Sequence, residues 1–378
     1  MLYGDGKRDN AKALQKLLDK RGIVVIDKAG KYMISKTLII HPNTHLILAP
    51  GVEIIAMPFS KCSLIQNESF AGGGIDENIH IEGGVWDGNC DAMGLDGVYE
   101  AEHREDFPYS PDLFKGKLMR FANVKNFIIE KLTVKNPVSY GIQIAGAYGY
   151  IARDLYFDYN WHFGTTDGVH INGPSYDGLV ENLHGTTNDD MVGVTTIDET
   201  HAEITKGEIV NLVIKNISAK NGYSGVRLLS AGDYDMRCVK VSGVYGDYRH
   251  NAVLISHHNT RPNTKIWFDD ILVEDVYSSK STTPLGDGCF RLWENNAIET
   301  LPIIWIEEGI NAGNIILRNI SRCERANTKG ALIQIDKGAV IDRLIVDNVS
   351  QKFANGGDAP LYINDATITT LIERDIQK

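Results

Sequence analysis

Apolar and polar residues alternate along this chain in short bursts rather than in helical turns. One phrase recurs: an apolar residue, two or three polar or Gly residues, then another apolar residue. It reads Ile81-Glu-Gly-Gly-Val85, Ile129-Glu-Lys-Leu132, Val180-Glu-Asn-Leu183, Val273-Glu-Asp-Val276 and Val346-Asp-Asn-Val349, among others. Its closing residues fall mostly 23 to 34 positions apart, and the 3.6-residue periodicity of amphipathic helices is missing. Short strands joined by Gly, Asn and Asp turns at such a period predict a β-solenoid, in which each coil buries its apolar face on the next. Two longer gaps, of 47 and 44 residues, hold either a full coil plus a loop or one coil with a large insertion. The handedness rule for parallel crossovers makes the expected fold an all-β, right-handed parallel β-helix of about ten coils.

One helix is predicted near the start. Asp9 or Asn10 can cap it, Leu14, Leu17 and Leu18 give it an apolar stripe, and Gly22 can end it. Residues 1–22 then form a cap over the first coil of a single domain spanning 1–378. Insertions are expected at about 90–117, 197–208 and 295–313, lengths typical of functional loops.

A second phrase fixes which side chains share a face. It runs Met119-Arg120-Phe121, Ile142-Gln143-Ile144, Val169-His170-Ile171, Val192-Gly193-Val194, Val226-Arg227-Leu228, Val253-Leu254-Ile255, Phe290-Arg291-Leu292 and Ile333-Gln334-Ile335. In a strand the flanking residues point inward and the middle one outward. Two residues earlier lies another outward column: Tyr140, Asp167, Asp190, Ser224 and Asn251. With strands roughly 4.8 Å apart, Asp167 and Asp190 should stack on neighbouring coils, with Asp189 beside them at the turn. Stacked carboxylates repel, so one of them should hold its proton to unusually high pH. A raised and an ordinary carboxylate are what acid/base glycoside hydrolysis needs. Single Asp residues at turns are common for structural reasons, but three converging beside outward His170 and Arg227 point to a site. The missing side chain at Gly193 leaves room for a sugar ring. The Trp161-His162 pair reads as a packed turn, with His162 a further candidate for sugar contact.

Composition narrows the function classes. Hydrophobic residues make up 43% of the 378, enough for a continuous core, and the net charge of −11 argues against general nucleic-acid or anionic-membrane binding. Five cysteines (Cys62, Cys90, Cys238, Cys289 and Cys323) include no CxxC, which argues against a disulfide framework or a cysteine zinc site. No nucleotide or dinucleotide fingerprint and no HExxH occurs, and His257-His258 lacks metal spacing, so no cofactor and no metal are expected. No signal-peptide core follows Met1, which predicts a cytoplasmic chain as it stands, or a secreted one if a leader has been removed.

Several segments resemble the pectate-lyase-like superfamily, and glycoside hydrolase family 28, the polygalacturonases, in particular. Gly4-Asp5-Gly6 with Asp9-Asn10-Ala11 resembles the opening motif of the superfamily, and Glu77 to Gly88 its early-coil signature. Thr166-Asp167-Gly168 and Asn188-Asp189-Asp190 are similar to the two aspartate segments of family 28. The resemblance implies that Asp189 protonates the leaving glycosidic oxygen, that Asp167 and Asp190 activate water, and that the anomeric configuration inverts. A carbohydrate partner is expected, with Asn188, His170, Tyr223, Arg227, Arg291 and His162 as its candidate contacts. Two departures stand out. Tyr223-Ser224-Gly225 replaces the family's Gly-His-Gly, and Ala252-Val253-Leu254 replaces its Arg-x-Lys. If Arg227 and Arg291 restore the lost positive charge, the substrate remains a uronate. The competing expectations are a polysaccharide lyase of the same fold and a phage-type, non-catalytic carbohydrate-binding β-helix.

Overall fold

A computed structural model of the chain describes residues 1–70, 72–94, 116–197, 204–231, 234–257, 268–286, 289 and 295–377. The strands stack in parallel, coil upon coil, as a parallel β-helix. The recurring phrases lie in register. Ile81 stands against Ile129, Ile129 against Ala152, Ala152 against Val180 and Val180 against Ile214. Val273 pairs directly with Leu317, so each of the two long gaps is one coil with an insertion.

The polar residue inside each phrase turns the corner. Asp154, Asn182, Asn216, Asp275, Asn319 and Asn348 all have φ between 54° and 58°, the left-handed region that Asn and Asp tolerate best. Their side chains link successive coils: Asn182 donates to Asp154, Asn216 to Asn182, Asn319 to Asp275 and Asn348 to Asn319, at 2.6 to 3.0 Å. Each such bond contributes about 0.5–1.5 kcal/mol net. The apolar residues of each phrase point inward and are fully buried, as with Val180, Leu183, Ile214 and Ile217. They join one continuous core running from the N-terminal helix to Leu361.

That helix spans Ala11–Leu18 and buries Ala11, Leu14 and Leu18 against the end of the core. Asp9, not Asn10, supplies the capping oxygen, accepting from the Ala11 N–H at 2.9 Å. Asn10 folds back on Tyr3 and Arg8 instead. The helix stops four residues before Gly22, whose φ of 67° opens the strand Gly22–Ile26.

The outward column holds its expected register from Met119 to Ile255. Beyond that the sequence expectation is corrected. The next rung is Ile304-Trp305-Ile306, followed by Ile333-Gln334-Ile335. Both Phe290-Arg291-Leu292 and Ile304-Trp305-Ile306 alternate in the same way, so periodicity alone could not separate them. Arg291 lies outside the described residues. The segment 295–313, expected as a loop, carries the helix Asn295–Thr300, that rung, and the start of the strand Asn311–Glu324. Most of the other two insertions, residues 95–115 and 198–203, also falls outside the described residues. Among the described residues no helix is long and apolar enough to cross a membrane.

Candidate active site

The turns before two successive rungs bring Asp167, Asp189 and Asp190 together. All three are buried, and one carboxylate oxygen of each lies within 4.8 Å of one from each of the others. The stacking follows from the ladder itself: the Gly141 N–H donates to the Asp167 carbonyl and the Gly168 N–H to the Asp190 carbonyl. Asp190 is in register with Ser224 on the next coil.

Each carboxylate has a different environment. The Nδ1 of His170 lies 2.5 Å from the Asp167 carboxylate. The other ring nitrogen of His170 lies 3.3 Å from the Asn172 amide, whose oxygen accepts from Gln143 at 2.9 Å. With the Asn172 amide donating, His170 carries its proton on Nδ1 and donates to Asp167. The face of His170 is stacked on Tyr140 at 4.0 Å, and the Lys117 ammonium sits 4.4 Å from the centre of the Tyr140 ring. Asp189 turns one oxygen back to accept the Asp190 N–H at 3.0 Å.

Asp190 holds its proton far above the ordinary carboxylate range. Burial is the main cause, repulsion from Asp189 and Asp167 adds to it, and Arg227 opposes it. The Arg227 guanidinium lies 4.0 Å from the Asp190 carboxylate and donates to Ser256 at 3.1 Å. The expected stack of acids with one raised member is thus present, and the raised member is Asp190.

This shift has a consequence for stability. Between the ordinary value of 3.8 and the raised one, the folded chain binds a proton that the unfolded chain does not. The fold therefore weakens as pH rises through that window. Asp190→Asn removes the effect. The variant should gain stability over the parent as pH rises from acid to neutral, read as a widening difference in urea midpoint. Equal midpoints at every pH would contradict the burial argument.

Gly193 requires a correction. A Cβ there would stand 2.7 Å from the Asp167 carboxylate and 3.0 Å from His170 Nδ1. The missing side chain makes room for the Asp167–His170 contact rather than for a sugar. Gly193→Ala should consequently displace that pair and lower turnover roughly 10²-fold, the cost of misplacing a reacting group by about an ångström. Parent-like activity in a folded Gly193→Ala chain would reject this reading.

Two other expected contacts are revised. Asn188 is fully buried, and its amide donates to the Phe163 carbonyl at 2.6 Å. It shapes the turn that presents Asp189 and does not face a groove. His162 pairs with Asp91 at 2.7 Å, while its neighbour Trp161 is buried as a packed turn. Tyr223 sits one rung beyond Asp189, stacked on His250 at 4.8 Å. Sequence reasoning missed Lys117 and Asn172, and set Gln143 on the outward face without a role. Asn172 was within reach of it, lying two residues past His170 on the same side of the strand.

The stacked coils give the chain the fold of the parallel β-helix proteins. Among solved structures it is similar to a family 28 exopolygalacturonase from Yersinia enterocolitica (18% identity, TM-score 0.56, covering 100% of this chain and 77% of that one). It is also similar to an endo-xylogalacturonan hydrolase from Aspergillus tubingensis (14%, TM-score 0.64, 95% and 94%). A surface protein and adhesin of Streptococcus pneumoniae, PfbA, shares the fold (14%, TM-score 0.54, 99% and 98%). In sequence the chain is similar to a pre-neck appendage protein of Bacillus phage B103, 24% identical over 326 residues and 78% of this chain. It spans about a third (34%) of that relative's length. No family model matches the chain.

Proposed function

We propose that the chain is a glycoside hydrolase that cleaves a uronate-containing poly- or oligosaccharide by acid/base chemistry. The observation that carries this reading is the cluster of Asp167, Asp189 and Asp190, buried within 4.8 Å with its proton retained and Arg227 at its edge. The proton that burial keeps on Asp190 lies beside Asp189, and its transfer to Asp189 makes Asp189 the acid and leaves Asp190 ionised. Asp189 delivers it to the glycosidic oxygen. Asp167, oriented by His170, and Asp190 hold and deprotonate the attacking water. Arg227 supplies positive charge for a sugar carboxylate.

The carboxylates are closer than the roughly 6.5–9.5 Å usual for inverting enzymes. Inversion therefore rests on the resemblance of the two aspartate segments, and NMR of the first anomer released tests it. Reducing-sugar release from uronate, rhamnose-containing and neutral glycans tests the main reading. Hydrolysis of a uronate glycan is expected, and no release from any substrate would sink the proposal. An ultraviolet-absorbing unsaturated product would assign a lyase instead. The likeness to a phage appendage protein favours one second reading, a carbohydrate-binding β-helix without turnover. Saturable glycan binding with no product would select it.

A further inference from the structure

A second cluster lies among the early coils, on strands Thr44–Ala56, Asp76–Asp87 and Met119–Glu130. His45 and His80 are register partners on adjacent rungs, with their rings stacked at 3.8 Å and 5° from parallel. Glu82, two residues past His80, points to the same side, and Glu130 is its partner on the next coil. His45 Nε2 lies 3.1 Å from Glu82, and His80 Nε2 lies 3.2 Å from Glu130. Ligand atoms of His45, His80 and Glu82 all fall within 4.8 Å of one another.

The bland account is a charge ladder. Farther along the stack the Glu130 column continues as Arg153, Glu181 and Lys215, alternating in sign. That account explains the glutamates but not the histidines. Their own column is flanked by Ile23 and Ile128, with no carboxylate or cation to complete a ladder. Two imidazoles stacked edge-aligned, each with Nε2 turned toward a carboxylate, present nitrogens on one side of the coil wall.

We propose that His45, His80 and Glu82 bind a divalent late transition-metal ion, of which Zn²⁺ is the test case. Two imidazoles and a carboxylate are a zinc donor set, whereas the all-oxygen cluster at Asp167 suits harder cations. Tetrahedral zinc with bonds near 2.0–2.1 Å needs donors about 3.3–3.4 Å apart. The His45–Glu82 pair, at 3.1 Å, needs to open by only about 0.2–0.3 Å to reach that spacing, and side-chain rotation of His80 supplies the rest. The ion displaces the Lys131 ammonium, which lies 3.0 Å from Glu82 on a side chain 55% exposed. That exchange loses little, because exposed ion pairs are weak. Glu130 or water completes the sphere. An ion held there ties consecutive coils of a stack in which each coil depends on its neighbours.

Equilibrium dialysis of the full chain with Zn²⁺ alone at neutral pH tests this. One zinc per chain is expected, with affinity lowered at least about tenfold in His45→Ala and in His80→Ala. Asp189→Asn should bind zinc as the parent does. Lys131→Met should bind it more tightly, because a competing cation is gone. Absence of stoichiometric uptake, or equal uptake by the histidine variants, overturns the proposal. Should those variants misfold, Co²⁺ added to the unmodified chain decides. Strong visible bands of a four- or five-coordinate ion support the site, and only the weak spectrum of a six-coordinate ion rejects it.

Discussion

Asp189→Asn is expected to lower hydrolysis of the responsive glycan by roughly 10²–10⁴-fold, the range that a positioned general acid contributes. The fold should survive. The oxygen that Asp189 offers to the Asp190 N–H is also present in asparagine, and the buried cluster loses a repelling charge. Binding should persist as well, so kcat falls while KM changes little. The pH profile adds a readout that a merely structural role would not move. Asp189 is the first charge raising Asp190's proton affinity after burial itself. Removing it lowers that affinity, so residual activity should lose its proton-dependent limb at lower pH than in the parent. Unchanged turnover in the folded variant would falsify the acid assignment.

The fold was legible wherever a side chain's role is local. The Asn or Asp inside each phrase announces a left-handed corner, because few other residues accept that backbone, and its flanking apolar residues announce the core. Register followed, since a one-residue slip would turn Val180 and Leu183 outward. What the sequence could not show depends on distant partners. Phe290-Arg291-Leu292 and Ile304-Trp305-Ile306 carry the same pattern, and only closure of the coil onto Val253-Leu254-Ile255 selects the second. The same limit governed the site. Asp167, Asp189 and Asp190 were found by spacing, but which of them keeps its proton depends on burial and on Arg227 one coil away. Gly193 was read as open space because its occupants, Asp167 and His170, belong to the preceding coil.

Glu324→Ala should destabilise the chain by about 3–5 kcal/mol, the cost of leaving a buried charge without its partner. Glu324 is fully buried and accepts the backbone N–H groups of Lys280, Arg325 and Ala326 at 2.9 to 3.2 Å. Arg322, equally buried, stands 3.9 Å away and otherwise donates to the Gly330 carbonyl and to Gln351. Lys280 donates to the carbonyls of His250 and Pro302. Burial pulls the Lys280 ammonium down to about 7 and the Arg322 guanidinium down to about 10, and Glu324 opposes both shifts. Between about 7 and the ordinary 10.5, the unfolded chain binds the Lys280 proton that the folded chain lacks, so the parent's stability rises with pH across that window. Without Glu324 the folded value falls further, and the variant's deficit should deepen as pH drops through 7. Glu324→Gln keeps an oxygen for the Arg325 and Ala326 N–H groups but loses the acceptor of the Lys280 N–H and the charge, so it should lose less stability than Ala and show the same deepening on acidification. Urea titrations of both variants on either side of pH 7 check this. Equal losses at the two pH values would show that the hydrogen bonds, and not the charge, hold this coil to its neighbours.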